Sequence, residues 1–281
     1  MSRLIIFDFN NLMFRGLNAL PDLSFAGIST AGLYGFILQF TKHLSDFEPD
    51  YALMCSDSPP YERTKIFHGY KELRKSEADK DPEKRKIVSD GYRLCKEFLD
   101  VIQLPIWTEP GYEADDLIAI ACEELHPNFR KIRIVSNDED LLQLLRYRNV
   151  EIKRGPSLIT RKTFELLYPG VDPKDWYKAV AIIGGHNDIP GIPKYGKKKA
   201  LGLLREPARY EKFYEENYMK LSLYLKLTKL PWKDNKDEIR VPSLKKAVYQ
   251  ERKMIRFLSY YGIDLTSPFR KGLEYISSFE E

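Results

Sequence analysis

Three short apolar runs punctuate the chain, and each ends in acid. RLIIFDFNN places Asp8 directly after its run, YALMCSD places Asp57 two residues after, and IRIVSNDED delivers Asp138 and Asp140. Each run has the length and aliphatic content of a strand, and the segments between them carry helical patterns. Strands alternating with helices predict an α/β fold with a parallel sheet. Ligands of such sheets bind beyond the carboxyl ends of the strands, so acid groups far apart in sequence could converge there. A fourth acid group sits in GYEADDLIAIACEEL. Gly111 breaks the preceding segment, and a helical pattern follows at Leu117, Ile118 and Ala121. Glu113, Asp115 and Asp116 then fall at the helix start, with Glu113 and Asp116 able to share a face.

The first half of the stretch 70–100 is dense in both charges and nearly free of apolar residues. Its second half, from Ile87, regains a helical pattern through Leu94 and Phe98. This reads as an exposed insertion leading into a packed helix. From about Val171 the pattern is mostly helical, with aromatic and basic residues interleaved. No internal repeat or low-complexity tract is present.

Length changes this picture little: 281 residues suit one large domain or two modest ones. The apolar runs are far too short to cross a bilayer, and no basic-then-apolar leader opens the sequence. Three dispersed cysteines, Cys55, Cys95 and Cys122, lack metal-type spacing and fit a reduced cytoplasmic setting. A net charge of +4 says little about nucleic acid, so the local distribution has to be read instead.

Taken singly, the acids have ordinary explanations. An acid at a helix N-terminus is often a cap, and an Asp after a strand is often a turn residue. Taken together they mean more. Seven carboxylates in four groups, all at one predicted sheet edge, repel one another at short range unless cations offset them. With no His or Cys among them, oxygen ligands favour Mg²⁺ or Mn²⁺ over Zn²⁺. Two such ions suit phosphodiester hydrolysis. Other chemistry finds no support: the sequence has no G-x-x-x-x-G-K-[ST] loop, no G-x-S-x-G elbow and only four scattered histidines.

The segments FDFNNLMFRG, SDSPPYERTKIFHGYKELR, GYEADDLIA, SNDEDLLQLL and IPGIPKYGKKKA occur in the order seen in the 5′ nucleases. That family includes flap endonucleases, the 5′-nuclease domain of bacterial DNA polymerase I and stand-alone phage enzymes. The resemblance covers nearly the whole chain and weakens after about Pro231. In length the sequence looks most like a tailed-phage flap endonuclease. The resemblance implies a parallel-sheet nuclease core over 1–168 with a helical arch or clamp insertion at about 71–100. It also implies a helical region over 169–281 with a DNA-gripping helix–turn–helix element at about 175–206. Asp8, Asp57, Glu113, Asp115, Asp116, Asp138 and Asp140 match the family's metal-binding acids. Lys71 and Arg74 match the basic pair assigned to the scissile phosphate. Tyr70 could stack a base or simply pack.

The stretch AIIGGHNDIPGIPKYGKKKA departs from the family. Relatives read G-D-x-x-D-N-I-P-G where this chain reads Gly184-Gly185-His186-Asn187-Asp188-Ile189-Pro190-Gly191. A gapped register lets Asp188 keep one acid while Gly185 replaces the other. An ungapped register anchored on IPG puts Gly184 and Asn187 in place of both acids. The gapped register is preferred because it retains a carboxylate, so a second metal site is expected to be present but weakened. Gly191 and Gly196 allow backbone to approach a phosphate, and Lys197, Lys198 and Lys199 open a helix whose N-terminus favours anions. The resemblance adds a K⁺ held by carbonyls of the 189–196 hairpin.

The expected protein is therefore a divalent-metal-dependent 5′ nuclease cutting 5′ flaps and duplex 5′ ends. Its partner is branched DNA, duplex plus a single-stranded 5′ end. No membrane is involved, and a monomer in the cytoplasm (a bacterial host's, for a phage protein) is expected. A PIN-like ribonuclease and a non-catalytic branch-binding protein are the alternatives.

Overall fold

The computed structural model describes residues 2–72, 81–185, 187–232, 239–244, 248, 250–264 and 267–277. The chain opens with β1 (Arg3–Asp8) and α1 (Phe9–Ala19). A small hairpin of β2 (Ser24–Phe25) and β3 (Ile28–Ser29), then α2 (Ala31–Phe47) and β4 (Tyr51–Cys55), follow. Next come α3 (Pro82–Val101), β5 (Ile106–Trp107), α4 (Ala114–Leu125) and β6 (Lys131–Val135). β7 (Val150–Arg154) and β8 (Ser157–Ile159) complete the strands. The remaining helices are α5 (Arg161–Leu167), α6 (Trp176–Ile183), α7 (Lys197–Leu204), α8 (Pro207–Glu216), α9 (Tyr218–Thr228), α10 (Glu251–Tyr260) and α11 (Ser267–Ser277).

Six strands form one sheet in the order β5-β4-β1-β6-β7-β8, parallel except for β8. β1 lies at its centre, which is why RLIIFD is apolar without alternation: both faces are covered. Ile5 and Phe7 pack with α1, α2, α3, α10 and α11 on one face. Leu4 and Ile6 pack on the other with α4 and helices α6 to α9. The chain leaves β1 toward β4 and β5 on one side, then returns to β6 on the other. The strand order therefore reverses between β1 and β6, and the crevice beyond that point is the natural ligand site.

The three runs read as strands are β1, β4 and β6, and the pattern after Gly111 is α4. The short β5, the β7–β8 pair and the small hairpin have no such signature. The packed helix read from Ile87 begins earlier, at Pro82, where the Asp81 side chain accepts from the Lys84 N–H at 3.0 Å. Most of the charged insertion before it, including Arg74, lies outside the described residues, as does His186. The helical region after 168 does not stand apart. Trp176, Leu201 and Leu221 share one core with Leu4 and Ile6, while Met254, Leu258, Phe269 and Leu273 belong to the core on the opposite face. No described helix is long and apolar enough to cross a membrane.

Candidate metal centre

A cleft of about 330 Å³ opens beyond the carboxyl ends of β1, β4 and β6. It is lined by Asp8, Asp57, Glu113, Asp115 and Asp138, together with Asn10, Asn11, Phe14, Asn137, Asn187 and Lys71. Five of the acids read from the sequence thus come together. Each is aimed by local structure. Asp8 ends β1 and caps α1, accepting from the Asn11 N–H at 3.0 Å and the Ser136 hydroxyl at 2.8 Å. Asp57 reaches across from β4 to accept from the Ala114 N–H at 2.8 Å and the Tyr61 hydroxyl at 3.1 Å. Asp138 accepts from the Asp140 N–H at 2.8 Å.

Glu113 is the N-cap of α4, where the Asp116 carboxylate accepts from its N–H at 3.3 Å in a reciprocal capping box. The carboxylates of Glu113, Asp115 and Asp116 come within 4.8 Å of one another. Asp116 nevertheless turns away from the cleft. Its oxygens accept from Arg63 Nη1 at 2.5 Å and Nη2 at 2.8 Å, from the Trp232 N–H at 2.8 Å and from Glu113. Four donors occupy its acceptor positions and leave none for an ion. Asp140 is buried at the start of a 3₁₀ turn (Asp140–Arg146), outside the cleft lining. Asp188 also stands outside it. Asn187 and Asp188 both adopt left-handed backbone (φ 52° and 60°), and this tight turn presents Asn187, rather than Asp188 or Gly185, to the cleft. The retained carboxylate expected from the gapped register is therefore not part of the cleft lining.

Arg63 was missed by sequence reasoning because a lone arginine in YERTKIF carries no pattern. It is 2% exposed, pairs with both Glu113 (2.7 Å) and Asp116, donates to the Leu227 carbonyl and lies over the Tyr70 and Trp232 rings. Lys71 pairs with Glu113 and stands 4.0 Å from Asp57. Tyr70 is 3% exposed and donates to Glu113 at 2.6 Å, so it is not free to stack a base. Phe14, 42% exposed at the cleft, is the aromatic open to one; it lies in the quoted FDFNNLMFRG but carried no chemical signal.

The electrostatics divide the acids into two kinds. Burial pushes the Asp8 carboxyl up to about 7, and the charges of Asp57 and Asp138 add to this against bonds from Asn11 and Ser136. Asp115 is likewise raised well above its ordinary value by burial, then by Asp116 and Glu113. Burial also opposes the charge on Glu113, but Arg63, Lys71 and Tyr70 outweigh it and hold that carboxyl below its ordinary value. For Lys71 the burial penalty is outweighed by Glu113 and Asp57, and the ammonium titrates above its usual range. Oxygen-only donors crowded enough to retain protons without a counterion fit a hard divalent cation.

The glycines and lysines expected to approach phosphate lie on the neighbouring hairpin. Gly184 and Gly191 pass backbone to backbone. A Cβ on Gly191 (φ 70°) would sit 2.4 Å from the Ile183 carbonyl oxygen, and one on Gly184 (φ 67°) 2.3 Å from the Gly191 nitrogen. Gly196 is the N-cap of α7 without a side-chain cap. Lys197, Lys198 and Lys199 are exposed on its first turn. Lys197 is held by the Tyr168 hydroxyl (3.3 Å) and Glu139 (3.6 Å), and Lys199 lies over the Tyr195 ring.

A mostly parallel six-stranded sheet flanked by helices is the fold this chain shares with 5′ nucleases of known structure. The phage T5 5′-exonuclease solved with divalent metal ions superposes with a TM-score of 0.68 at 17% identity, covering 99% of this chain and all of that one. Flap endonuclease-1 of Methanococcus jannaschii gives 0.63 at 16%, covering 99% and 92%. Residues 3–168 match the model of the 5′-3′ exonuclease N-terminal resolvase-like domain, and the chain belongs to that family. The 5′-3′ exonuclease of Aquifex aeolicus is 32% identical over 209 residues, 73% of this chain and 70% of that one. DNA polymerase I of Caldicellulosiruptor bescii is 32% identical over 227 residues, 76% of this chain, but the chain spans only 25% of that polymerase.

Proposed function

We propose that the chain is a divalent-metal-dependent 5′ nuclease that cuts 5′ flaps and duplex 5′ ends of DNA. The observation that carries this reading is the meeting of five carboxylates from four separate chain segments in one cleft beside Lys71. Asp8, Asp57, Glu113, Asp115 and Asp138 would hold the ions, Mg²⁺ or Mn²⁺ by donor chemistry. When bound, such ions neutralise a phosphodiester and lower the pKa of water. Lys71 would steady charge on the scissile phosphate, and Phe14 would stack the terminal base. Asn187, not Asp188, lines the cleft; in the ungapped register it takes the place of one of the family's acids, and a second ion there would meet less negative charge and bind more weakly. The hairpin and the first turn of α7 would bind duplex phosphates without reading sequence, with a K⁺ on the hairpin carbonyls as the family resemblance suggests. A related phage T5 flap endonuclease was solved with DNA and metal ions, which supports this assignment. The insertion at 71–100 would clamp the single-stranded 5′ end, and a cytoplasmic monomer suffices for this work.

The test is cleavage of one labelled 5′ flap in Mg²⁺, Mn²⁺ or EDTA, with Asp8→Asn as the control. Cleavage in either metal, absent in EDTA and in the variant, is expected. The amide at Asn187 favours one second reading, a non-catalytic branch-binding protein. Flap binding with no cleavage in either metal would establish that reading instead. Preference for an RNA flap over a DNA flap would point to a ribonuclease.

A further inference from the structure

Asn187 belongs to the hairpin, yet its bonds run to the cleft. Its Nδ2 donates to the Tyr70 hydroxyl at 3.1 Å, and that hydroxyl donates to Glu113 Oε2 at 2.6 Å. Its backbone carbonyl accepts from the Lys71 N–H at 3.3 Å. Glu113 in turn pairs with Lys71. The four residues close a ring in which one hairpin residue touches two consecutive residues at the base of the insertion.

Two features show that this ring is held against a cost. Lys71 has φ 54°, a left-handed conformation that costs a side-chain-bearing residue about 1–2 kcal/mol. Its N–H donates to the Asn187 carbonyl, so the hairpin is bonded directly to the strained residue. Asn187 is 7% exposed, and its Oδ1 is buried without a hydrogen-bond partner among the described residues. A buried, unpaired acceptor is unfavourable, and its retention points to a use for the other half of the amide. A donor is required there. Tyr70 has a single proton, already given to Glu113, so its oxygen can only accept from position 187. A carboxylate at 187 would compete with Glu113 for that proton.

We propose that Asn187 is a positioning residue that couples the 184–196 hairpin to the cleft, fixing Tyr70, Lys71 and Glu113 when duplex DNA seats on the hairpin. This rests on the nuclease reading above. The test compares Asn187→Gly, which tolerates the left-handed backbone and keeps the carbonyl, with Asn187→Asp, Tyr70→Phe and the Gly/Phe double variant. Under single turnover, Asn187→Gly, which loses one buried hydrogen bond, should slow flap cleavage about tenfold, and Tyr70→Phe, which loses that bond and the one to Glu113, by at least as much, both with flap affinity within about twofold of wild type. The double variant should be no slower than Tyr70→Phe alone, because that change already breaks the link from Asn187. Asn187→Asp should be slow as well. Multiplying losses, or weaker DNA binding at an unchanged rate, would overturn the proposal. So would an Asn187→Asp enzyme that cleaves faster and binds Mn²⁺ more tightly, since position 187 would then lack only a ligand. If wild type cleaves nothing, the nuclease reading has failed by itself, and the link is read by hydrogen exchange. Duplex DNA should slow exchange at residues 70–72 in wild type but not in Asn187→Gly; equal slowing in both would overturn it.

Discussion

At the scale of single residues, the cleft sets groups that want a cation against groups already neutralised. Asp8 is of the first kind. An unfolded Asp loses its proton near pH 4, whereas folded Asp8 keeps it to about 7. The folded carboxyl is thus the weaker acid. Its contribution to stability is fully present below pH 4 and lost as pH rises to 7. In EDTA, Asp8→Asn should therefore gain on wild type in urea midpoint as pH rises from 4 to 7, with a constant gap above. A gap that does not change with pH would contradict this. Mn²⁺ affinity should rise over the same window, because the ion must displace that proton. Arg63 is of the second kind. Arg63→Met leaves the buried charges of Glu113 and Asp116 without their partner, a change worth about 3–5 kcal/mol. Urea unfolding in EDTA measures it, and a loss under 1 kcal/mol would show that the pair is solvated.

At the scale of elements, the hairpin and the first turn of α7 separate architecture from binding. Gly191→Ala drives a Cβ against backbone that cannot yield, whereas Gly185→Ala meets no atom within 4 Å and carries only the left-handed penalty. The first should cost several kcal/mol and the second about 1–2 kcal/mol in thermal unfolding. Lys198→Ala and Lys199→Ala should weaken DNA binding equally for all sequences. Each should reduce the slope of log affinity against log salt by about 1. Lys197, held by Tyr168 and Glu139, should contribute less. Much of this element scale was legible in advance. β1 and β4 are buried on both faces and read as nearly unbroken apolar runs, β6 keeps Ile132, Ile134 and Val135 buried despite Lys131 and Arg133, and α4 announced itself through Gly111 and the acids of its first turn. β5 and β8 were not legible, because strands of two or three residues are created by their neighbours in the sheet.

At the scale of the whole molecule, the C-terminal helices bind both faces of the sheet into one body. α11 packs on α2, with Phe269 and Leu273 fully buried and Gly272 against Thr41, where an added Cβ would come within 2.4 Å of backbone. Phe269→Ala should cost about 3–5 kcal/mol in urea unfolding while leaving Mn²⁺ affinity of the folded protein unchanged, because this core lies on the face away from α4. Loss of metal binding at a concentration of urea where the fold persists would show that the two faces are coupled.

The sequence alone determined what local chemistry can determine. Apolar runs of strand length ending in acid, a capped helix with three carboxylates, and glycines and lysines at a turn are all written in short stretches of chain. These stretches named the sheet, the strand-end cleft and the family. Only the tertiary structure decided which of the eight acids face that cleft. Asp115 and Asp116 are adjacent on α4, yet one lines the cleft and the other is consumed by an arginine 53 residues away. Asn187 rather than Asp188 lines the cleft because two left-handed residues in succession turn the chain there, which decides between the two registers the sequence left open. A carboxylate's partner is set by where the folded backbone carries it, and distances through space are not encoded in any one segment.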